Sequence, residues 1–203
     1  MATGRIVPVD SLGCVATEVR LRDGSRAITW VLLPSDREGL REAYEHLSPV
    51  SKLHRFLAPV PHLTDAMLDR LVDEVDQVDH VALVLFVLDS DQDGAPAGIA
   101  RMIRYADDPT AADVAVTVAD DYQGRGVASA LLAQLIDQRP VGVERIVTEM
   151  AADNPASLAM LRRLGPSSVA GAGVNRLQVI VELPPVPAEP APPGATPRDS
   201  SPS

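Results

Sequence analysis

One stretch, Val114 to Leu132, restricts this chain more than any other. Val114, Val116 and Val118 alternate with smaller or more polar residues, the pattern of a strand with one buried face. Asp120 and Asp121 end it. Gly124 and Gly126 bracket Arg125 at a tight turn. Ala128, Leu131, Leu132, Leu135 and Ile136 then recur at helical spacing. A strand, a glycine turn and an amphipathic helix in that order form an anion site. Glycine lets backbone approach a ligand without a Cβ in the way. The free N–H groups of the helix start point one way, and the helix dipole adds partial positive charge there. A phosphate suits such a place. It is not the phosphate of a Walker loop, because Gly-x-x-x-x-Gly-Lys-Ser/Thr is not found. The dinucleotide fingerprint also fails, since Ser129 stands where a third Gly or Ala belongs.

What the turn does match is carried by Gln123-Gly124-Arg125-Gly126-Val127-Ala128. This resembles the Gln/Arg-x-x-Gly-x-Gly/Ala acyl-CoA loop of the GNAT N-acetyltransferase superfamily. Taken alone, the hexapeptide is also compatible with an ordinary glycine turn before a helix. Its surroundings extend the likeness. Val143 to Met150 reads as a second strand, and Asp153-Asn154-Pro155 to Gly165 looks like the family's Asn-x-x-Ala/Ser…Gly helical segment. The resemblance spans about residues 26–183, with its sharp motifs in 113–165. It implies an α/β GNAT fold, with a mixed sheet of about six to seven strands and about four to five helices. That sheet is expected to splay between the strands before and after the glycine loop.

The resemblance also assigns roles. Acetyl-CoA is the implied co-substrate, with no metal. Its phosphates would lie on the backbone amides of Gly124, Gly126, Val127 and Ala128, with Gln123 in the motif and Arg125 adding charge. The backbone of Val118 would bond the pantetheine arm or the thioester oxygen, a natural oxyanion donor. Asn154 would touch the pantetheine amides, or simply cap the helix that starts at Pro155. The segment Ala112-Asp113-Val114-Ala115-Val116-Thr117-Val118 to Gly126 is closest to bacterial Pat-type protein-lysine acetyltransferases. There Asp113 falls on the family's glutamate base, one methylene shorter, and Glu149 on the next strand is the reserve. A base is needed because a lysine amine, with a pKa of about 10.4, arrives protonated. The tyrosine that many members use to protonate the leaving thiolate would stand at Leu161, so Ser157, a water or no acid at all takes that part. His54, His62 and His80 show no metal spacing and read as surface or satisfied histidines, His80 being also a faint catalytic candidate.

Composition bounds the rest. The chain has 203 residues, enough for one well-cored domain. Its net charge of −10 argues against nucleic acid as a partner, and makes a polyanion such as CoA depend on a local basic pocket. The single Cys14 cannot form a disulfide within the chain and fits a reducing compartment. With no leader and no apolar run of membrane length, a cytoplasmic protein without a membrane partner is expected. Residues 1–25 form an N-terminal extension, readable as a short hairpin or a loosely packed arm; 26–183 form the acetyltransferase domain; 184–203, with eight prolines in twenty positions, form a disordered tail. Arg26 to Leu33 reads as the first strand, and Ser35 or Asp36 as the cap of the next helix. Ser48-Pro49 restarts a helix through Phe56, and Thr64 caps another. The acidic turn Asp89 to Gly94 is too irregular for a calcium loop.

Two function classes follow. The first is an N-acetyltransferase acting by direct attack of an amine on acetyl-CoA, with a protein lysine or a small amine as acceptor. The second is an acyl-CoA-binding sensor without catalysis, suggested by the shortened base and the missing acid. The position of Asp113 relative to the cleft separates them. The oligomeric state is expected to be monomer or homodimer.

Overall fold

The computed structural model describes residues 5–8, 15–88 and 95–185. Cys14, the acidic turn and residues 186–203 of the proline-rich tail lie outside them. Nine strands form one sheet: β1 (Arg5–Pro8), β2 (Val15–Arg20), β3 (Arg26–Val31), β4 (His80–Leu88), β5 (Ala95–Arg104), β6 (Ala111–Val118), β7 (Arg145–Ala151), β8 (Ser167–Gly171) and β9 (Arg176–Glu182). They lie in the order β1-β2-β3-β4-β5-β6-β7-β9-β8. Every neighbouring pair is antiparallel except β6 and β7. The mixed, helix-flanked sheet is the expected class. The strand count exceeds the expected six to seven because β1 and β2 add to the β3 edge. The sequence leaves residues 1–25 between a short hairpin and a loosely packed arm; β1 and β2 pair antiparallel, and pairing of β2 with β3 joins them to the sheet.

Five helices cover the faces among the described residues: α1 (Arg37–Glu45), α2 (Pro49–Phe56), α3 (Asp65–Leu68), α4 (Val127–Asp137) and α5 (Pro155–Leu161). The central strand β4 is apolar on both sides and serves two cores. Its Val81, Leu83, Leu85 and Val87 join α4 through Val127, Leu131, Leu132 and Leu135. Its Ala82 and Val84 join α1 and α3 through Tyr44 and Leu68, and the turn after α3 through Val72. Each fully buried leucine of α4 contributes about 2 kcal/mol by leaving water. Alternation along β6 therefore has a direction. Val114, Val116 and Val118 pack toward α4, so Asp113, Ala115 and Thr117 face the α1–α2 side.

The helix starts follow the chemistry of their first residues, with one exception. Ser48 accepts from Ser51 N–H and Pro49 follows it in α2; Thr64 accepts from Met67 N–H in α3. At α1 neither Ser35 nor Asp36 bonds the helix amides. A 3₁₀ turn over Pro34–Asp36 leads in, and the Asp36 carboxylate turns back to accept the Leu33 N–H at 2.9 Å.

Gly165 marks the end of α5 for a reason different from helix capping. A Cβ there would stand 2.0 Å from the Glu182 carbonyl oxygen, so the chain runs against β9 where only a hydrogen fits. Gly165→Ala is expected to destabilise the fold by about 2–3 kcal/mol through forced separation of that turn from β9. Urea unfolding should show a lowered midpoint with an unchanged slope.

Candidate active site

The parallel pair β6–β7 carries the site. Its pairing is confined to Ala111↔Arg145 and Ala112↔Ile146. Beyond that the strands part, while β6 stays paired to β5 through Val118 and β7 to β9 through Ala151. Each strand is thus held from its outer side, and their inner edges are released. Side chains occupy the opening. The Thr148 hydroxyl donates to Val114 O at 3.1 Å, and the Tyr105 hydroxyl to Val147 O at 2.9 Å. These carbonyls are satisfied without the ladder that would close the gap.

A cavity of about 330 Å³ lies there, lined by Asp113, Ala115, Thr148, Glu149, Tyr105 and Arg55 among others. Asp113 and Glu149 therefore meet in one cavity, although they come from different strands. Burial pushes the Asp113 carboxyl above the ordinary carboxylate range; the Thr148 hydroxyl and the charge of Arg55 oppose the shift without cancelling it, and the Glu149 charge adds to it. Glu149 is more exposed and lies 3.5 Å from Arg176. Tyr105 is raised as well, by burial and then by the charges of Asp113 and Glu149, so it keeps its proton. Leu161, the position of the family's tyrosine, is buried in the core beneath the sheet.

At the other end of β6, the glycine turn is fixed by a segment about a hundred residues earlier in the chain. Gly124 and Gly126 have φ of +74° and +102°. A Cβ on Gly126 would meet the Arg22 Cβ at 2.9 Å. Arg22 donates its N–H to Arg125 O at 3.1 Å and its guanidinium to Gly124 O. In a trans peptide the N–H points opposite the C=O. Holding the carbonyls of Gly124 and Arg125 toward Arg22 therefore turns the amides of Arg125 and Gly126 away from it, toward the start of α4. No side chain caps that helix among the described residues. The amides of Val127 and Ala128 stand in its first turn, while the Val127 side chain is buried beneath. This is a fit for a phosphate group.

The remaining residues take more structural parts. Arg125 is bound by Asp23 at 2.5 Å and Ser25 at 2.7 Å and lies over the Tyr122 ring. The Ser25 amide and the Arg125 guanidinium hold Asp23 at about 2. Gln123 turns its amide nitrogen toward Ser51 Oγ, Asp120 Oδ1 and Val118 O, at 3.2, 3.2 and 3.4 Å. Asp120 accepts from the Ser48 amide at 2.8 Å and the Ser51 hydroxyl at 2.7 Å, tying α2 to the end of β6. Burial works to raise Asp120, but these donors outweigh it and the carboxyl lies low. Asn154 caps α5, its Oδ1 accepting the Ser157 N–H at 3.1 Å. With Oδ1 so used, its Nδ2 is the group 3.3 Å from His54 Nδ1, and His54 Nε2 faces Asp153 at 3.3 Å. His62 is paired with Glu45, and His80 with Arg101. Among the described residues no cluster suits a metal ion, and no helix is long and apolar enough to cross a membrane.

Arg22, Asp120, Tyr105 and Arg55 were not readable as site residues from sequence. Arg22 sits in an evident turn, Arg22-Asp23-Gly24-Ser25, but nothing local indicates what that turn contacts. Tyr105 follows β5, and only the sheet order places it against β7.

Comparison with known proteins agrees with this fold. The acetyltransferase (GNAT) family model matches residues 47–165. Acetyltransferase Pat of Mycolicibacterium smegmatis is 35% identical over 148 residues, covering 72% of this chain and 43% of that protein. The chain thus spans under half the length of that relative. Acetyltransferase PA5475 of Pseudomonas aeruginosa is 32% identical over 148 residues, covering 71% of this chain and 77% of its own length. Among solved structures, the GNAT domain of S. lividans PAT superposes with a TM-score of 0.72 at 29% identity, over 83% of this chain and 97% of that one. Salmonella typhimurium yncA, solved with acetyl-CoA, shares the fold with a TM-score of 0.61 at 22% identity, over 84% of this chain and 99% of its own. The chain belongs to the GNAT acetyltransferase family.

Proposed function

We propose that this chain transfers acetyl from acetyl-CoA to a protein lysine, with Asp113 as general base. The observation that carries this reading is the Asp113 carboxyl. It faces the opening between β6 and β7 in a polar cavity, and burial raises it above the ordinary carboxylate range. The acceptor is supported by the likeness of 112–126 to Pat-type sequences and by kinship with Pat of M. smegmatis.

The chemistry asked of the residues is modest. Acetyl-CoA supplies an activated thioester. The amides at the start of α4 hold its phosphates, and the β6 backbone at Val118 orients the thioester and stabilises its oxygen as charge develops. Asp113, directly or through a water, takes the proton from the amine. The amine nitrogen bonds to the carbonyl carbon, the C–S bond breaks, the adduct nitrogen gives its remaining extra proton to solvent, and the thiolate leaves to be protonated by solvent. A thiol with a pKa of about 8.5 leaves without an acid, which suits a fold whose Leu161 is sealed in the core. Asn154 and His54 bridge the start of α5 and α2.

A small amine is the second reading. A larger, mostly apolar cavity adjoins the Asp113 cavity across Arg55 and Phe56, beneath α1 and α2. That shape suits a compact acceptor.

Thiol release from acetyl-CoA, followed with folded lysine-bearing proteins and small amines, tests these readings. Asp113→Ala is expected to lower acceptor-dependent release by about a hundredfold or more, and Glu149→Ala by less than about tenfold. The reverse ranking would transfer the role to Glu149. Clear acetyl-CoA binding with no release for any acceptor would favour the sensor.

A stability measurement checks the Asp113 environment separately. Its pKa is higher folded than unfolded, so ionisation opposes folding, and that loss sets in as pH rises above the unfolded value of about 4. Asp113→Asn is therefore expected to unfold at higher urea than the wild type at pH 7. The difference should close below about pH 4.

A further inference from the structure

The larger cavity has a volume of about 570 Å³ and lies between α1, α2 and the strands β3 to β6. Leu40, Tyr44, Phe56, Val84 and Ile99 make its walls apolar. In this setting stands Arg101, on β5 and only 4% exposed. Its Nη1 donates to Leu71 O at 3.0 Å and lies 3.2 Å from His80 Nε2. Neither partner is an anion. Burial, and then the charge of Arg101, hold His80 down at about 4, so it is neutral and its Nε2 accepts. Among the described residues no carboxylate pairs with Arg101. Asp36 and Glu42 line the α1 side of the cavity without bonding it.

The contrast with the other arginines is informative. Arg37, Arg41, Arg104 and Arg145 each hold a carboxylate at the surface, where water would have served them. Arg101 is enclosed and has none, in a protein of net charge −10. A second guanidinium, Arg55, lines the same cavity and acts on Arg101 by repulsion. A buried cation without a counter-ion is among the costliest arrangements in a protein interior. A guanidinium has five N–H donors, and only Nη1 is engaged here. Gln77 Oε1 is the one fully buried side-chain polar atom left without a partner among the described residues. The remaining donors of Arg101 therefore open onto the cavity.

We propose that this cavity binds an apolar carboxylate, its carboxylate on the fork of Arg101 and its chain along the walls of α1, α2 and β4. The guanidinium fork matches a carboxylate with two parallel hydrogen bonds. A monoanion suits a site with one nearly inaccessible cation, Arg101, a partly exposed second one, Arg55, and acidic residues at its rim, and the apolar walls favour a hydrocarbon body over a polar one. The volume is in the usual range for small-molecule sites. Thr117 and Ala119 form the wall beside the glycine turn. A ligand anchored on Arg101 thus extends toward the strand that carries Asp113. The site stands whether or not the chain transfers acetyl, and its occupant is either an amine acceptor with a carboxylate tail or a separate non-reacting ligand.

Calorimetry on the full chain at pH 7, without acetyl-CoA, tests the site with octanoate, 1-octanol and 8-aminooctanoate. Octanoate is expected to bind one to one, at least about tenfold tighter than octanol. Arg101→Met should weaken octanoate by at least about tenfold while leaving the melting temperature unchanged or raised, because it removes a buried charge. Equal binding of octanol and octanoate, or octanoate affinity retained in Arg101→Met, would overturn the proposal. Should Arg101→Met not fold, the octanoate and octanol comparison in the wild type decides alone. Adding acetyl-CoA then separates the two sources. Acetylation of 8-aminooctanoate with a KM well below that of octylamine, the advantage lost in Arg101→Met, identifies the occupant as acceptor. Saturable octanoate binding with no acetylated product identifies a separate ligand. Octanoate binding in a chain that acetylates no acceptor at all would sink the acetyltransfer reading and leave the site standing.

Discussion

Two parallel strands that pair for two residues and then part set the terms for everything else in this molecule. Backbone polar groups do not stay unpaired inside a protein, so an open seam in a sheet needs substitutes. Here Thr148 and Tyr105 take two of the carbonyls on the inner edges, while β5 and β9 hold the outer edges along nearly their full length. The seam is thereby stable without being closed. Asp113 stands just past the last paired residue, in a half-buried place where a carboxyl is raised.

The two faces of the sheet divide the work. On the α4 face, aliphatic side chains pack to completion and fix the helix whose first turn offers its amides. On the α1–α3 face packing is incomplete, leaving one polar and one apolar cavity that share Arg55 and Phe56. Asp120, gripping Ser48 and Ser51, keeps α2 over that face and links it to the glycine turn. The turn itself is clamped from behind by Arg22 and by the Asp23–Arg125 pair. Arg125 therefore serves the loop's shape more directly than it serves a ligand. Among the described residues, the amides of the α4 first turn and the Nε and Nη2 donors of Arg101 have no such structural claim on them.

Much of this was legible in the residues. The Val114–Val118 alternation, the glycine turn and the α4 stripe are local patterns, and local patterns specify local structure. Asn154 before Pro155 announced a helix cap, and it is one. Other residues misled for physical reasons. Asp36 looked like a helix cap and instead bonds backward to Leu33. Gly165 looked like a helix stop, yet the constraint on it comes from the carbonyl of Glu182 on another strand.

The sequence by itself determined most of the order of strands and helices, the glycine turn and the family to which they belong, because each rests on periodicity or on spacing within a few residues. The tertiary structure alone decided where β6 and β7 separate, that Asp113 and Glu149 share a cavity, that Arg125 is occupied by Asp23, and that Arg101 is enclosed without a counter-ion. Those features depend on which strands are neighbours and on which charges burial brings together. No rule of spacing encodes them, because the free energy that fixes them comes from contacts between residues far apart in the chain.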